Sequence, residues 1–256
     1  MSALNGVVNK SLPFLKFNVN CSRSHLPVFF FAVSLVGSLL KELDVVPNSY
    51  FSNRGNLLNV YFVKVSWGWN LVLLTPFIYL SNSQNNSAIM VSKRLASLLV
   101  ATAIWYLCTE MFFCIENVTG ACYGSDDMQT ILEGFSTKTE CKNAGNYWEG
   151  FDISGHSFIL SYSTLLIVEE MVPMLYLVEK CRNTTILDAM YLALTAIALI
   201  WVWMFACTSV YFHNLIQKIL GTGFGVLGWW VTYKFWYLKP FSPGLPPFQS
   251  KLKQMD

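Results

Sequence analysis

Charge is what this sequence has least of. Asp, Glu, Lys and Arg make up 12% of its 256 residues, where an ordinary soluble domain carries roughly a quarter. A chain so poor in charge cannot cover a globule with ionic surface. Its 54% hydrophobic content and mean hydropathy of +0.43 point instead to a polytopic membrane protein. The net charge of +2 comes with no basic block and no stacking motif, which removes nucleic acid as a partner. No C-x-x-C pair offers a zinc site and no internal repeat is visible. The first apolar run has no small-residue cleavage site, so it is expected to stay as an anchor rather than leave as a signal peptide. Histidine is scarce too: only His25, His156 and His213 are present.

What the chain does have is apolar runs of the length that crosses a bilayer, about 20 residues. Six are expected, near 26–43, 57–80, 95–115, 154–178, 186–208 and 216–238, giving an all-α, six-span fold in a single integral membrane domain over 1–256. Cytoplasmic loops hold the excess of Lys and Arg. With the N-terminus in the cytosol, that side receives ten: Lys10, Lys16, Arg23, Lys93, Arg94, Lys180, Arg182, Lys239, Lys251 and Lys253. The other side receives five: Lys41, Arg54, Lys138, Lys142 and Lys218. Both termini are therefore expected in the cytosol, with a long lumenal loop at 116–153 and a cytosolic tail at 239–256 that FSPGLPPF opens by ending the last helix.

Cysteines on the long loop would meet an oxidising lumen, where disulfides persist. Cys122 and Cys141 are the expected pair, with Cys114 as a competitor, while Cys108 and Cys207 sit in spans as small apolar fillers. The sequon at Asn117-Val-Thr119 hugs a span end, an awkward place for a glycan.

Residues 150–160 read GFDISGHSFIL and put His156 at the mouth of the fourth span. If Ser154 caps that helix, the free N–H groups of its first turn form an anion site, and Gly155 lets a ligand approach the backbone. His213, in VYFHN at the start of the sixth span, falls on the same side by this topology. Two histidines on one face can divide the work of phosphoryl chemistry, one as nucleophile and the other as general acid. Lys64 and Glu110 lie within spans two and three, roughly 8 to 10 Å below that surface at 1.5 Å per residue, and are expected either to pair or to give Lys64 to a phosphate. Glu169 and Glu170, deep in span four before Pro173, read as a structural or partner-facing pair. No cofactor is expected. Glu116, Asp126, Asp127 and Asp152 carry the spacing of an ordinary solvated loop, which leaves a divalent-metal requirement open.

The strings LLKEL, NVYFVKVSWGW, ATAIWYLCTE, GFDISGHSF, VEEM, VYFHN and FSPGLPP, in order from about residue 38 to 248, resemble the fat storage-inducing transmembrane proteins. The resemblance implies an endoplasmic reticulum protein with six spans and cytosolic ends, a role in lipid-droplet formation, and hydrolysis of fatty acyl-CoA at its diphosphate. It also implies a distant likeness to the lipid phosphatases and phosphotransferases. Ser154-Gly155-His156 matches their second motif and His213 the histidine of their third, which there attacks phosphorus. Gln217 stands where that third motif has an aspartate, and the Lys…Arg-Pro first motif has no counterpart, so Lys64, Arg54 and Lys218 are the candidates to hold the phosphoryl charge. The expected partners are acyl-CoA and membrane lipids, with lipid-droplet biogenesis proteins beyond them. The rival reading is a non-enzymatic binder that gathers diacylglycerol or triacylglycerol for droplet budding, a role with no need of two histidines on one face.

Overall fold

A computed structural model describes residues 3–83, 87–124, 130–180 and 184–247. Arg182, Lys251, Lys253, Asp126 and Asp127 lie outside the described residues, as does the tail from 248 onward. Helix α1 runs Ala3–Glu42, well ahead of the expected start at 26. A 3-10 turn at Tyr50–Ser52 and a π turn at Asn59–Val63 lead into α2 (Ser66–Ser83). Helix α3 (Ala88–Thr119) is followed by β1 (Ala121–Tyr123), α4 (Lys138–Asn143) and β2 (Tyr147–Glu149). Then come α5 (Gly155–Glu170), α6 (Pro173–Glu179), α7 (Thr185–Tyr211) and α8 (Leu215–Trp229). A π turn at Trp230–Phe235 and a 3-10 turn at Trp236–Leu238 finish the last helix.

Among the described residues, four segments are long and apolar enough to cross a membrane: His25–Glu42, Ala88–Thr119, Gly155–Glu179 and Thr185–Tyr211. The expected second span is not one continuous helix. Its π turn gives way at Lys64 and Val65 before α2 begins, which leaves Lys64 exposed at the break. The expected sixth span likewise widens into a π turn after Trp229. Span four is interrupted before Pro173, because proline has no N–H to continue the ladder and opens α6 instead.

Helix α5 is the axis of the bundle, with most of its residues buried. Its small polar residues let neighbours come close while their hydroxyls bond back into the helix, Ser161 to Ser157 O at 2.7 Å and Thr164 to Leu160 O at 2.7 Å. Helix α8 takes this opportunity through Gly221 and Gly225. A Cβ at Gly221 would meet Ser154 O at 2.3 Å, and one at Gly225 would meet Ser161 Oγ at 2.4 Å. Neither position admits a side chain without separating the helices, so the starts of α5 and α8 are held together. A buried polar bridge ties α2 and α7 to the same axis: Asn70 Nδ2 donates to Ser163 Oγ at 2.6 Å, and Trp201 Nε1 donates to Asn70 Oδ1 at 3.2 Å.

The fold is not purely helical. The expected 116–153 loop begins only after α3 ends at Thr119, and β1 pairs antiparallel with β2, Cys122 opposite Trp148. A disulfide joins Cys122 to Cys141 beneath Trp148, and Leu132 and Phe135 pack on it to form a second, small core. Three apolar centres close together stabilise a hairpin that two three-residue strands alone could not. Cys114 is free and exposed.

Candidate active site

Ser154 is the N-cap of α5, accepting from Ser157 N at 3.2 Å and from Ser157 Oγ at 2.9 Å. It is fully buried, and its hydroxyl is taken up in capping the helix. Gly155 and His156 line a cavity of about 460 Å³, and a Cβ built at Gly155 meets only open space. The first-turn N–H groups of a helix have no acceptor of their own in it, and the dipole adds positive potential there.

His156 Nε2 lies 2.8 Å from Asn59 Oδ1. Asn59 Nδ2 donates to Arg54 O at 2.7 Å, which fixes the amide and leaves its oxygen toward the ring. Nε2 of His156 therefore carries a proton, and Nδ1 holds the lone pair.

His213 sits at the corner between α7 and α8, in the left-handed region at φ 53°. Such a conformation costs a non-glycine residue about 1–3 kcal/mol. The next residue, Asn214, caps α8 by accepting from Gln217 N at 3.0 Å, and Gln217 Oε1 accepts from Asn214 N at 3.0 Å. The same Oε1 lies 3.3 Å from His213 Nδ1, so that nitrogen donates and Nε2 holds the lone pair. Asp152 Oδ2 is 3.8 Å from His213 Nδ1. Ser154 N donates to Gln217 O at 3.1 Å, a backbone link that brings the two histidine-bearing corners side by side. Burial pushes His213 below the ordinary histidine pKa, and the cations of Arg54 and Lys41 push the same way; the Asp152 carboxylate and the Gln217 hydrogen bond oppose them. The net direction keeps the ring neutral near pH 7, the form that can attack phosphorus.

Both histidines line the one cavity, together with Arg54, Lys64, Asn59 and Asp152 at its polar end. The rest of its wall is mostly apolar, from Phe112 and Phe113 on α3, Ile153, Met204 and Cys207 on α7, and Phe212, with Asn56, Thr109, Glu116 and Thr208 among them. Of the three expected phosphate-holding cations, Arg54 and Lys64 are placed here. Lys218 is not: it is fully buried, and its Nζ donates to Ser209 O at 2.6 Å. No ion pair joins Lys64 to Glu110 among the described residues, and Glu110 lies exposed outside the cavity. Glu116, expected in a solvated loop, is instead buried near the end of α3 and paired with Lys138. Asn117 Oδ1 accepts from Lys138 N at 3.2 Å, so the sequon asparagine is part of the same junction. His25 does not line the cavity. Among the described residues, no group of three His, Cys, Asp or Glu side chains is placed to hold a metal ion.

Two contributors escaped sequence reasoning, Asn59 and Asp152. The first stands at the start of the apolar run NVYFVKV, where an asparagine with no turn to make is a signal in itself. The second was weighed only as loop charge, because its distance to His213 is set by the α5–α8 contact.

The family model for fat storage-inducing transmembrane proteins (FIT) matches residues 47–187 and 177–233. The chain belongs to this family. Among its relatives, the acyl-coenzyme A diphosphatase FITM2 of Danio rerio is 61% identical over 226 residues, covering 88% of this chain and 89% of that protein. The protein of the same name from Homo sapiens is 51% identical over 229 residues, covering 88% and 87%. The one from Drosophila melanogaster is 29% identical over 282 residues, covering 94% and 63%. No solved structure matches. Arg54, Asn59, Lys64, Asp152, His156, His213 and Gln217 all fall inside the stretches shared with the FIT family.

Proposed function

We propose that this FIT-family chain is a fatty acyl-CoA diphosphatase of the endoplasmic reticulum membrane, cleaving its substrate to acyl-4′-phosphopantetheine and adenosine 3′,5′-bisphosphate. The reading includes six membrane crossings, with α2 and α8 completing the four long apolar segments, and both termini cytosolic. The cavity then opens to the lumen, the side that receives the disulfide. Acyl-CoA is the substrate, the bilayer's diacylglycerol and triacylglycerol are the lipids whose balance it serves, and lipid-droplet formation is the process it supports.

The observation that carries this reading is the pair of histidines with complementary tautomers on one cavity. His213 offers the Nε2 lone pair, its Nδ1–H being held by Gln217. His156 offers Nδ1, its Nε2–H being held by Asn59. In the first step His213 Nε2 attacks one phosphorus and the P–O bond to the bridging oxygen breaks. His156, neutral before substrate binds, takes up a proton at Nδ1 when the negative diphosphate enters, and gives it to that oxygen as it leaves with the other phosphate. In the second step His156 Nδ1 takes a proton from water as the water oxygen attacks the phosphohistidine, which frees His213. Arg54, Lys64 and the first turn of α5 hold the charge on the non-bridging oxygens, where fixed donors act without reorganising. The acyl chain lies along Phe112, Phe113 and Met204, an apolar wall with a few polar groups at one end.

The test is product identification by mass spectrometry, using purified protein and a long-chain acyl-CoA. Wild type yields both phosphate products, while His213→Ala and His156→Ala each lose turnover by about a thousandfold or more with unchanged thermal unfolding. Turnover by either variant at the wild-type rate overturns the two-histidine mechanism. Absence of both products with active-fold wild type overturns the diphosphatase reading and leaves the lipid-binding role.

A further inference from the structure

Two lysines grip the corner that carries His213, and neither lines the cavity. Lys218 Nζ donates to Ser209 O at 2.6 Å, in the last turn of α7, where helix carbonyls have no N–H of their own. Lys41 Nζ, from the last turn of α1, donates to the carbonyl of His213 itself at 2.8 Å. The backbone on both sides of Phe212 is thus tied to ammonium groups on two other helices, while the Arg54 guanidinium lies 5.6 Å from the Phe212 ring centroid. This is the turn in which His213 adopts its left-handed φ of 53°. A residue stays in such a conformation only when its surroundings over-determine it.

Packing does not account for Lys218. It is 0% exposed, and the one hydrogen-bond acceptor of its ammonium among the described residues is that carbonyl. Glu42 acts on Lys218 electrostatically but makes no ion pair with it among the described residues; a buried ammonium without a paired carboxylate is costly in a membrane protein, and a well-packed apolar side chain would fill the space at less cost. What the lysine supplies is a fixed position for the chain as it leaves α7.

We propose that Lys218 and Lys41 are positioning residues for His213, holding the Ser209 and His213 carbonyls so that the strained corner presents its imidazole to the cavity. This rests on the two-histidine reading above. Misplacing a reacting group by about 1 Å costs on the order of a hundredfold in rate, and both lysines act on backbone within four residues of the nucleophile.

The experiment measures kcat and KM for acyl-CoA hydrolysis by purified full-length Lys218→Met, Lys41→Met, Lys41→Arg and His213→Ala, with thermal unfolding alongside. Each methionine variant is expected to lower kcat about tenfold or more with KM within about twofold and unfolding near wild type. Lys41→Arg, which keeps a cationic donor, restores most of the loss. Wild-type kcat in both methionine variants, with His213→Ala inactive, overturns the positioning role and leaves the mechanism standing. Raised KM at unchanged kcat also overturns it, since that marks direct substrate binding. Activity in His213→Ala sinks the underlying mechanism and the proposal with it. Should Lys218→Met fail to fold, the comparison of Lys41→Met with Lys41→Arg decides alone, because Lys41 is exposed and its loss buries nothing.

Discussion

The two ends of this bundle handle charge in opposite ways. At the end away from the histidines, Arg94 is buried and paired with Glu170, Tyr233 donates to the same carboxylate, and Arg94 also donates to the Gly244 carbonyl of the FSPGLPP turn. Beside it, Glu169 accepts from Trp229 Nε1 at 3.2 Å and meets Lys234 Nζ at 3.3 Å. Those charges are used up among themselves. At the cavity end, Arg54 and Lys64 line open space with no ion-pair partner among the described residues, and the histidines each keep one nitrogen free. A closed network positions helices; an open one can receive a phosphate. Ionisable groups within spans raise the same suspicion from sequence at either end, and only the presence of a cavity separates the two cases.

That contrast is sharpest for carboxylate removal at the closed end. Glu170→Ala leaves Arg94 buried without its counter-charge, which costs about 3–5 kcal/mol. Chemical or thermal unfolding in detergent should register the whole loss, whereas kcat per folded molecule should stay near wild type. A Glu170→Ala protein with normal stability would break the comparison. Next in size is the disulfide. Cys122 and Cys141 stand 19 apart in sequence, and closing such a loop stabilises by about 3 kcal/mol in the chain-entropy model. Cys122→Ser with Cys141→Ser should lower the unfolding midpoint accordingly, and protease should then cleave first within 121–149. The smallest effect is at Asp152. Its carboxylate raises the His213 pKa against burial, Arg54 and Lys41, so Asp152→Asn should move the acid limb of kcat/KM to lower pH. An acid limb that stays in place, or rises, would remove Asp152 from the site.

The elements were legible where hydrophobic length alone decides them. Span four and the long apolar α3 and α7 follow from runs that water cannot accommodate. The break at Lys64 was harder to see, because the run through NVYFVKVSWGW is apolar enough to read as continuous while the backbone widens into a π turn. Of the candidate site, His156, His213, Gly155 and Lys64 lie on the cavity. Ser154 turned inward to cap its helix, and Lys218 turned toward α7, since the direction of a side chain depends on which neighbour the helix packs against. Gln217, singled out for not being an aspartate, holds His213 Nδ1 as a neutral acceptor, with the Asp152 carboxylate nearby from another segment.

By itself, the sequence determined the class of solvent this chain is built for, the approximate course of its apolar helices, the cysteines on its long loop and the scarcity that made two histidines worth weighing. All of these are local: they depend on counts, runs and spacings along the chain. The tertiary structure alone decided that residues 54–64, 109–116, 152–156 and 204–213 enclose one cavity, which charges remain open and which nitrogen of each histidine is free. Those outcomes hinge on how closely α8 approaches α5 at Gly221 and Gly225, and a distance between segments 60 or more residues apart follows from packing, for which one chain read in order carries no local signal.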